Sequence, residues 1–188
     1  MRIPRTLAAF VLTAGAITVP SVVAAQQFGP SADVSVGFFA GGGGTFADRG
    51  GPALDGIIAL PVSQVRSGTL VAGVTGGISG PLMMGDLICH VGPNGTCIPN
   101  YPTFVTVGAV AGLQRSIGSG LSARAVAGPA YFQAADGDDT VGLQGRMDVA
   151  KRLILRTSLV ASVRGSLLPS YRDATLGYAT FGLGLRIQ

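Results

Sequence analysis

From Leu176 to the C-terminal Gln188 the chain alternates without a break. Gly177, Ala179, Phe181, Leu183, Leu185 and Ile187 share one parity, and Tyr178, Thr180, Gly182, Gly184, Arg186 and Gln188 share the other. Successive side chains of an extended strand point to opposite faces, so this segment is a strand with one wholly apolar face and one polar face carrying an arginine. The pattern recurs upstream. Leu155, Thr157, Leu159, Ala161 and Val163 oppose Arg156, Ser158, Ser162 and Arg164, with Val160 on the polar side. Val141, Leu143, Met147 and Val149 oppose Gln144, Arg146 and Asp148, and Leu121, Ala123, Ala125 and Ala127 oppose Ser122 and Arg124. A helix is disfavoured throughout, because 30 of 188 residues are Gly, Glu is absent and Lys151 is the single lysine.

Apolar faces this wide need a medium. The mean hydropathy is +0.49 and only 12% of residues are charged, yet no stretch after residue 26 reaches the roughly 18 uninterrupted apolar residues of a membrane helix. The remaining way to cross a bilayer is a closed β-barrel, in which every backbone donor and acceptor is paired between strands. Eight segments fit, at about 32–41, 53–62, 68–79, 102–114, 120–132, 140–150, 154–165 and 176–188. The connections after the odd segments run about 11, 22, 7 and 10 residues, and those after the even ones about 5, 5 and 3, the alternation of long surface loops with short periplasmic turns. The fold class expected is therefore all-β: an eight-stranded antiparallel up-and-down transmembrane barrel, with both termini in the periplasm of a bacterial outer membrane.

Residues 1–25 are read as a cleaved signal peptide and residues 26–188 as one barrel domain. Arg2 and Arg5 precede an apolar run from Leu7 to Val19, and Val23-Ala24-Ala25 supplies the small-residue cleavage site. Export places Cys89 and Cys97 in an oxidising compartment, where an even cysteine count predicts a disulfide. The bridge would close a short ring around Pro93-Asn94-Gly95-Thr96 and contribute roughly 2.5 kcal/mol in the chain-entropy model. His90 with two cysteines is one ligand short of a structural zinc site. No cofactor is expected: Gly41 to Gly44 lacks the Lys and Ser/Thr of a phosphate loop, and Asp136-Gly137-Asp138-Asp139 lacks the spacing of a calcium loop. Arginines dispersed along the chain, instead of gathered in a stripe, exclude nucleic acid as a partner.

The eight alternating segments, the alternating loop lengths, the leader and the final Leu183-Gly184-Leu185-Arg186-Ile187-Gln188 strand resemble the small eight-stranded outer-membrane proteins of the OmpA and OmpX kind. The resemblance spans nearly the whole chain after the leader and implies a barrel without a periplasmic domain, in contact with outer-membrane lipid and lipopolysaccharide. It implies a structural or surface-interaction role, in adhesion, shielding or recognition of a surface ligand or host partner through the outer loops. An eight-stranded interior is just filled by side chains, which excludes a general porin. Parity assigns to that interior Asp33, Asp55, Arg124, Arg146, Asp148, Arg156, Arg164 and Arg186. Avoidance of like charges predicts Asp148 opposite Arg156, and barrel closure predicts Asp33 beside Arg186. Tyr101, Phe104, Tyr131, Phe132, Tyr178 and Phe38 lie near the outer strand ends and are expected to form an extracellular-side aromatic girdle of the kind that flanks a barrel's lipid-facing band. Catalytic residues are not assigned. The alternatives are a lipid A-modifying barrel enzyme using His90 and a soluble, lipocalin-like binding barrel.

Overall fold

The computed structural model describes residues 28–42, 50–80, 89–91, 97–99, 103–134, 137–171 and 174–188. The proposed signal peptide, Tyr101 and the Asn-Gly turn between the cysteines lie outside the described residues. Among the described residues there are ten strands: β1 (Ser31–Gly42), β2 (Gly50–Val65), β3 (Gly68–Ser79), β4 (Cys89–Val91), β5 (Cys97–Pro99), β6 (Phe104–Gly118), β7 (Leu121–Ala134), β8 (Asp139–Ile154), β9 (Thr157–Tyr171) and β10 (Ala174–Ile187). Eight of them close a barrel in the order β1-β10-β9-β8-β7-β6-β3-β2, and β4 pairs only with β5 in a small ribbon inside the longest connection. Every adjacent pair in the barrel is antiparallel, including the seam where β1 meets β10 with Asp33 directly opposite Arg186.

Alternation in the sequence becomes inside and outside. Along β8, Gln144, Arg146, Asp148 and Ala150 are buried while Val141, Leu143, Met147 and Val149 are exposed. The same holds on β1, where Ser31, Asp33, Ser35 and Phe39 point in and Val34, Val36 and Phe38 point out. The polar face is thus enclosed and the apolar face is external, the inverse of a barrel built for water. A soluble protein would have to leave this continuous belt of Val, Leu, Ile and Phe facing solvent. Strands of 12 to 16 residues in the barrel exceed the 9–11 needed to cross a bilayer at a tilt, so both rims project beyond the apolar belt.

Three details differ from the sequence reading. The strands reach further than expected at the loop end, so only residues 172–173 separate β9 from β10 where a connection of about ten residues was expected. The short turns contain only two residues each: Arg66-Ser67, Ser119-Gly120 and Leu155-Arg156. Gly120 carries φ +72°, a left-handed conformation open to glycine, and its carbonyl accepts a 2.7 Å hydrogen bond from the Arg152 amide. Each turn is preceded by a register irregularity, between Pro61 and Ser63, between Ser116 and Gly118, and between Arg152 and Ile154.

That third detail overturns the predicted β8–β9 register. Inward residues on both strands are even-numbered, so an odd number of residues must separate any inward pair; a three-residue turn would do this, but the chain uses a two-residue turn and one bulged residue. The result places Asp148 opposite Ser162, Arg146 opposite Arg164, and Arg152 opposite Ser158. Arg156, assigned to the interior from parity, lies instead in the turn and is exposed. Parity is meaningful only inside a strand, and Arg156 precedes the start of β9.

Candidate functional site

Seven acidic and basic side chains come together inside the barrel: Asp33 on β1, Asp55 on β2, Arg124 on β7, Arg146 and Asp148 on β8, Arg164 on β9 and Arg186 on β10, each at most 5% exposed. An arginine facing lipid at the bilayer midplane would cost roughly 2–4 kcal/mol, and placing these four inside avoids that cost. The interior then has to neutralise them, and it does so in two groups.

The larger group lies toward the short-turn end. The Arg124 guanidinium spans two strands: its Nε donates to Asp148 Oδ2 at 2.9 Å, its Nη1 to Ser31 Oγ at 3.2 Å, and its Nη2 to both Asp33 and Asp148. Arg186 donates through Nε to Asp33 Oδ1 at 2.9 Å and through Nη2 to Asp33 Oδ2 at 2.8 Å, with Asp148 Oδ2 at 3.3 Å. Arg146 Nε donates to Asp148 Oδ1 at 2.7 Å. Two carboxylates therefore hold three guanidiniums, and Asp148 touches all three. Charge-assisted bonds of this kind are stronger than neutral ones, and their fork geometry specifies which strands face each other.

The smaller group is nearer the loop end. Arg164 Nη1 lies 2.7 Å from Asp55 Oδ1 across the lumen, and the Thr180 hydroxyl donates to Asp55 Oδ2 at 3.1 Å. The contact between Arg164 and Asp55 is an ion pair whose angles do not meet those of a hydrogen bond. Direct opposition of Arg146 and Arg164 is tolerated because the two heads diverge, Arg146 toward Asp148 on its own strand and Arg164 toward Asp55 on β2. Gly77 on β3 makes room for the second pair: a Cβ at that position would stand 2.7 Å from Arg164 Nη1 and 3.0 Å from the Leu54 carbonyl oxygen. Gln144 bonds Thr75 at a similar height.

Above these groups an aromatic cluster closes the lumen. Tyr178 is its centre, stacked on Phe104 with centroids 5.8 Å apart and edge-on to Phe39 at 6.2 Å and Phe132 at 6.3 Å. Ala53, Ala130, Ala134, Leu168 and Leu176 complete the cluster. The expected girdle is thereby corrected: Phe104, Phe132 and Tyr178 are buried inside, and Phe38 alone of the four is lipid-facing. Tyr131 is partly buried and donates to Asp139 Oδ2 at 2.5 Å. The signal for this was present, since Phe132 shares parity with Arg124, and Tyr178 with Arg186. Parity, and not nearness to a rim, decides which face a side chain takes.

Outside the barrel, β4 and β5 pair Cys89 with Pro99, His90 with Ile98 and Val91 with Cys97. Cys89 and Cys97 are therefore offset by two residues in the ribbon's register. His90 falls on the opposite parity from both cysteines.

An all-β, closed, eight-stranded antiparallel barrel with a polar interior and an apolar exterior is the architecture of the small outer-membrane barrels, and the chain has that fold. Among solved structures it is similar to Neisserial surface protein A, with a TM-score of 0.59 and 12% identity over 85% of this chain and 97% of that one. Weaker similarity is found to Ail, the attachment invasion locus protein of Yersinia pestis, at TM-score 0.46 and 12% identity over 85% and 100% of the two chains. The N-terminal β-barrel domain of Pseudomonas aeruginosa OprF matches at TM-score 0.46 and 11% identity over 84% and 97%. No protein-family model matches the sequence, and no curated protein matches it.

Proposed function

We propose that the protein is a bacterial outer-membrane barrel that acts as a rigid mount for surface-exposed segments. The observation that carries this reading is the inverted distribution of polarity: seven charged groups enclosed, and a belt of large apolar side chains outside. Such a distribution is favourable only where lipid covers the belt. A plugged interior argues against a porin role, so interaction is left to the loops, as is common for function mounted on a rigid scaffold.

On this reading the short two-residue turns and both termini face the periplasm, after removal of residues 1–25, and the rim bearing 43–49, 80–103 and 135–138 faces outward. The longest of these connections contains the β4–β5 ribbon. Cys89 and Cys97 are oxidised to a disulfide after export; a two-residue slip of the ribbon would bring them directly opposite. Its partner is a surface ligand or host molecule recognised by these loops, with lipopolysaccharide around the outer rim.

Fractionation tests the reading. Expressed with its leader, the protein should enter the outer membrane, migrate faster on a gel before boiling than after, and present a tag inserted between Pro93 and Thr96 to external protease. Recovery in the soluble periplasm, or a tag reached only after lysis, would sink it. Thiol labelling of unreduced, denatured protein should find neither cysteine.

A further inference from the structure

The nine described basic residues divide cleanly by position. Arg124, Arg146, Arg164 and Arg186 are inside, and the other five, Arg66, Arg115, Lys151, Arg152 and Arg156, are exposed and lie at the short-turn rim. The five described acids divide the same way: Asp33, Asp55 and Asp148 are inside, and Asp138 and Asp139 are exposed at the opposite rim. No described acidic residue stands at the short-turn rim. Among the described side chains, one end of the barrel is therefore basic with no acidic side chain beside it.

The charges are grouped around part of the rim. Arg66 occupies the β2–β3 turn, and Arg115 sits beside Gly68 at the start of β3. Lys151 and Arg152 follow on β8, and Arg156 occupies the β8–β9 turn. With β3 beside β6, and β6, β7, β8 and β9 consecutive around the wall, these form one arc. The seam of β1 and β10 contributes no described exposed charged side chain to it. Apolar side chains interleave with the basic ones: Val65 precedes Arg66, Ile117 follows Arg115, and Leu153, Ile154 and Leu155 separate Arg152 from Arg156. Leu155 is 96% exposed at the tip of its turn. Arg152 also borders a cavity of about 220 Å³ at the barrel mouth with Ser116, Ser122, Ser158 and Gln188.

A rim that carries basic groups and exposed leucines side by side, at the end of a lipid-facing belt, suits one environment: the boundary where acyl chains give way to phosphates. We propose that this arc binds the headgroups of anionic phospholipid in the leaflet that meets the short turns, setting the depth and tilt of the barrel. Leucine and isoleucine side chains enter the acyl boundary while the guanidiniums and the Lys151 ammonium reach the phosphates, as basic residues do beside an anionic surface. Lys151 has one donor committed to the Ser119 carbonyl at 3.1 Å, which holds its ammonium at the rim.

The proposal rests on the outer-membrane reading, and the experiment separates the two. The protein is folded into phosphatidylcholine vesicles with and without about a third phosphatidylglycerol, and its urea unfolding is followed by heat-modifiable mobility; both leaflets are alike, so the direction of insertion does not matter. The wild type should favour folding about tenfold more in the anionic vesicles, an advantage lost at high salt. The variant R66Q/R115Q/K151Q/R156Q should insert into phosphatidylcholine as the wild type does and lose that advantage. If the quadruple variant does not fold, Arg66→Gln and Arg156→Gln, both in turns, are read singly and should each reduce it. An equal anionic-lipid response in wild type and variants, or none in the wild type, overturns the proposal. Failure of the wild type to insert into any vesicle overturns the outer-membrane reading itself.

Discussion

Asp148 is the residue on which the interior most depends, because three guanidiniums share it and Asp33 alone cannot neutralise them. Breaking a buried pair by removing one partner leaves an uncompensated charge, at about 3–5 kcal/mol. Asp148→Ala is therefore expected to lower stability by that order in urea titrations of the detergent-folded protein; a loss below about 1 kcal/mol would show that water, and not Asp148, satisfies Arg124, Arg146 and Arg186. Gly77 makes a second residue-scale prediction. A valine there would displace Arg164 from Asp55, so Gly77→Val should destabilise the wild type yet cost much less in an Asp55→Asn/Arg164→Gln background, as a double-mutant cycle would reveal. Most of this site was legible from parity alone, since Asp33, Arg124, Arg146, Asp148, Arg164 and Arg186 all sit within alternating segments. Which carboxylate each arginine meets was not legible, because Arg164 and Asp55 lie on strands separated in the wall by β10 and β1.

At the scale of elements, the two-residue turns and their bulges set how strands meet. Leu153 lies within the irregularity between Arg152 and Ile154. Its deletion would leave a two-residue turn with regular pairing and an unchanged β8–β9 ladder beyond it. Deletion of Ser162 within β9 would instead turn part of the strand inside out, since a one-residue slip reverses every side chain. The first deletion is expected to retain heat-modifiable migration and the second to abolish it; equal outcomes would refute this account of the register. From the sequence, the rule against directly opposed like charges, applied to Arg146 and Arg156, favours a three-residue turn; in the structure Arg156 lies in the turn and Arg146 stands opposite Arg164 instead. The rule failed because each arginine has its own carboxylate in reach.

The whole molecule is a plugged cylinder: ion pairs toward one end, aromatic rings toward the other, and an apolar belt outside. Tyr178 touches Phe39, Phe104 and Phe132, so Tyr178→Ala removes the centre of the aromatic closure, and large-to-small changes of this kind cost about 3–5 kcal/mol. In planar bilayers the wild type should show no steady porin-like conductance, whereas Tyr178→Ala should admit brief ion steps if the rings are the outer seal. Persistent wild-type conductance would refute a plugged interior.

The sequence by itself determined the barrel strands, their number and their faces, because a period of two is written locally and a lipid-facing surface tolerates almost no charge. It located the interior charges for the same reason, and failed for Arg156 only where the strand had ended. Tertiary structure alone decided the partners of Arg164 and Arg146, the inward turn of Phe104, Phe132 and Tyr178 into one cluster, and the gathering of Arg66, Arg115, Lys151, Arg152 and Arg156 on one rim. Those outcomes depend on which strands become neighbours when the sheet closes and on how each turn spends one extra residue, and both are settled only by the ring as a whole.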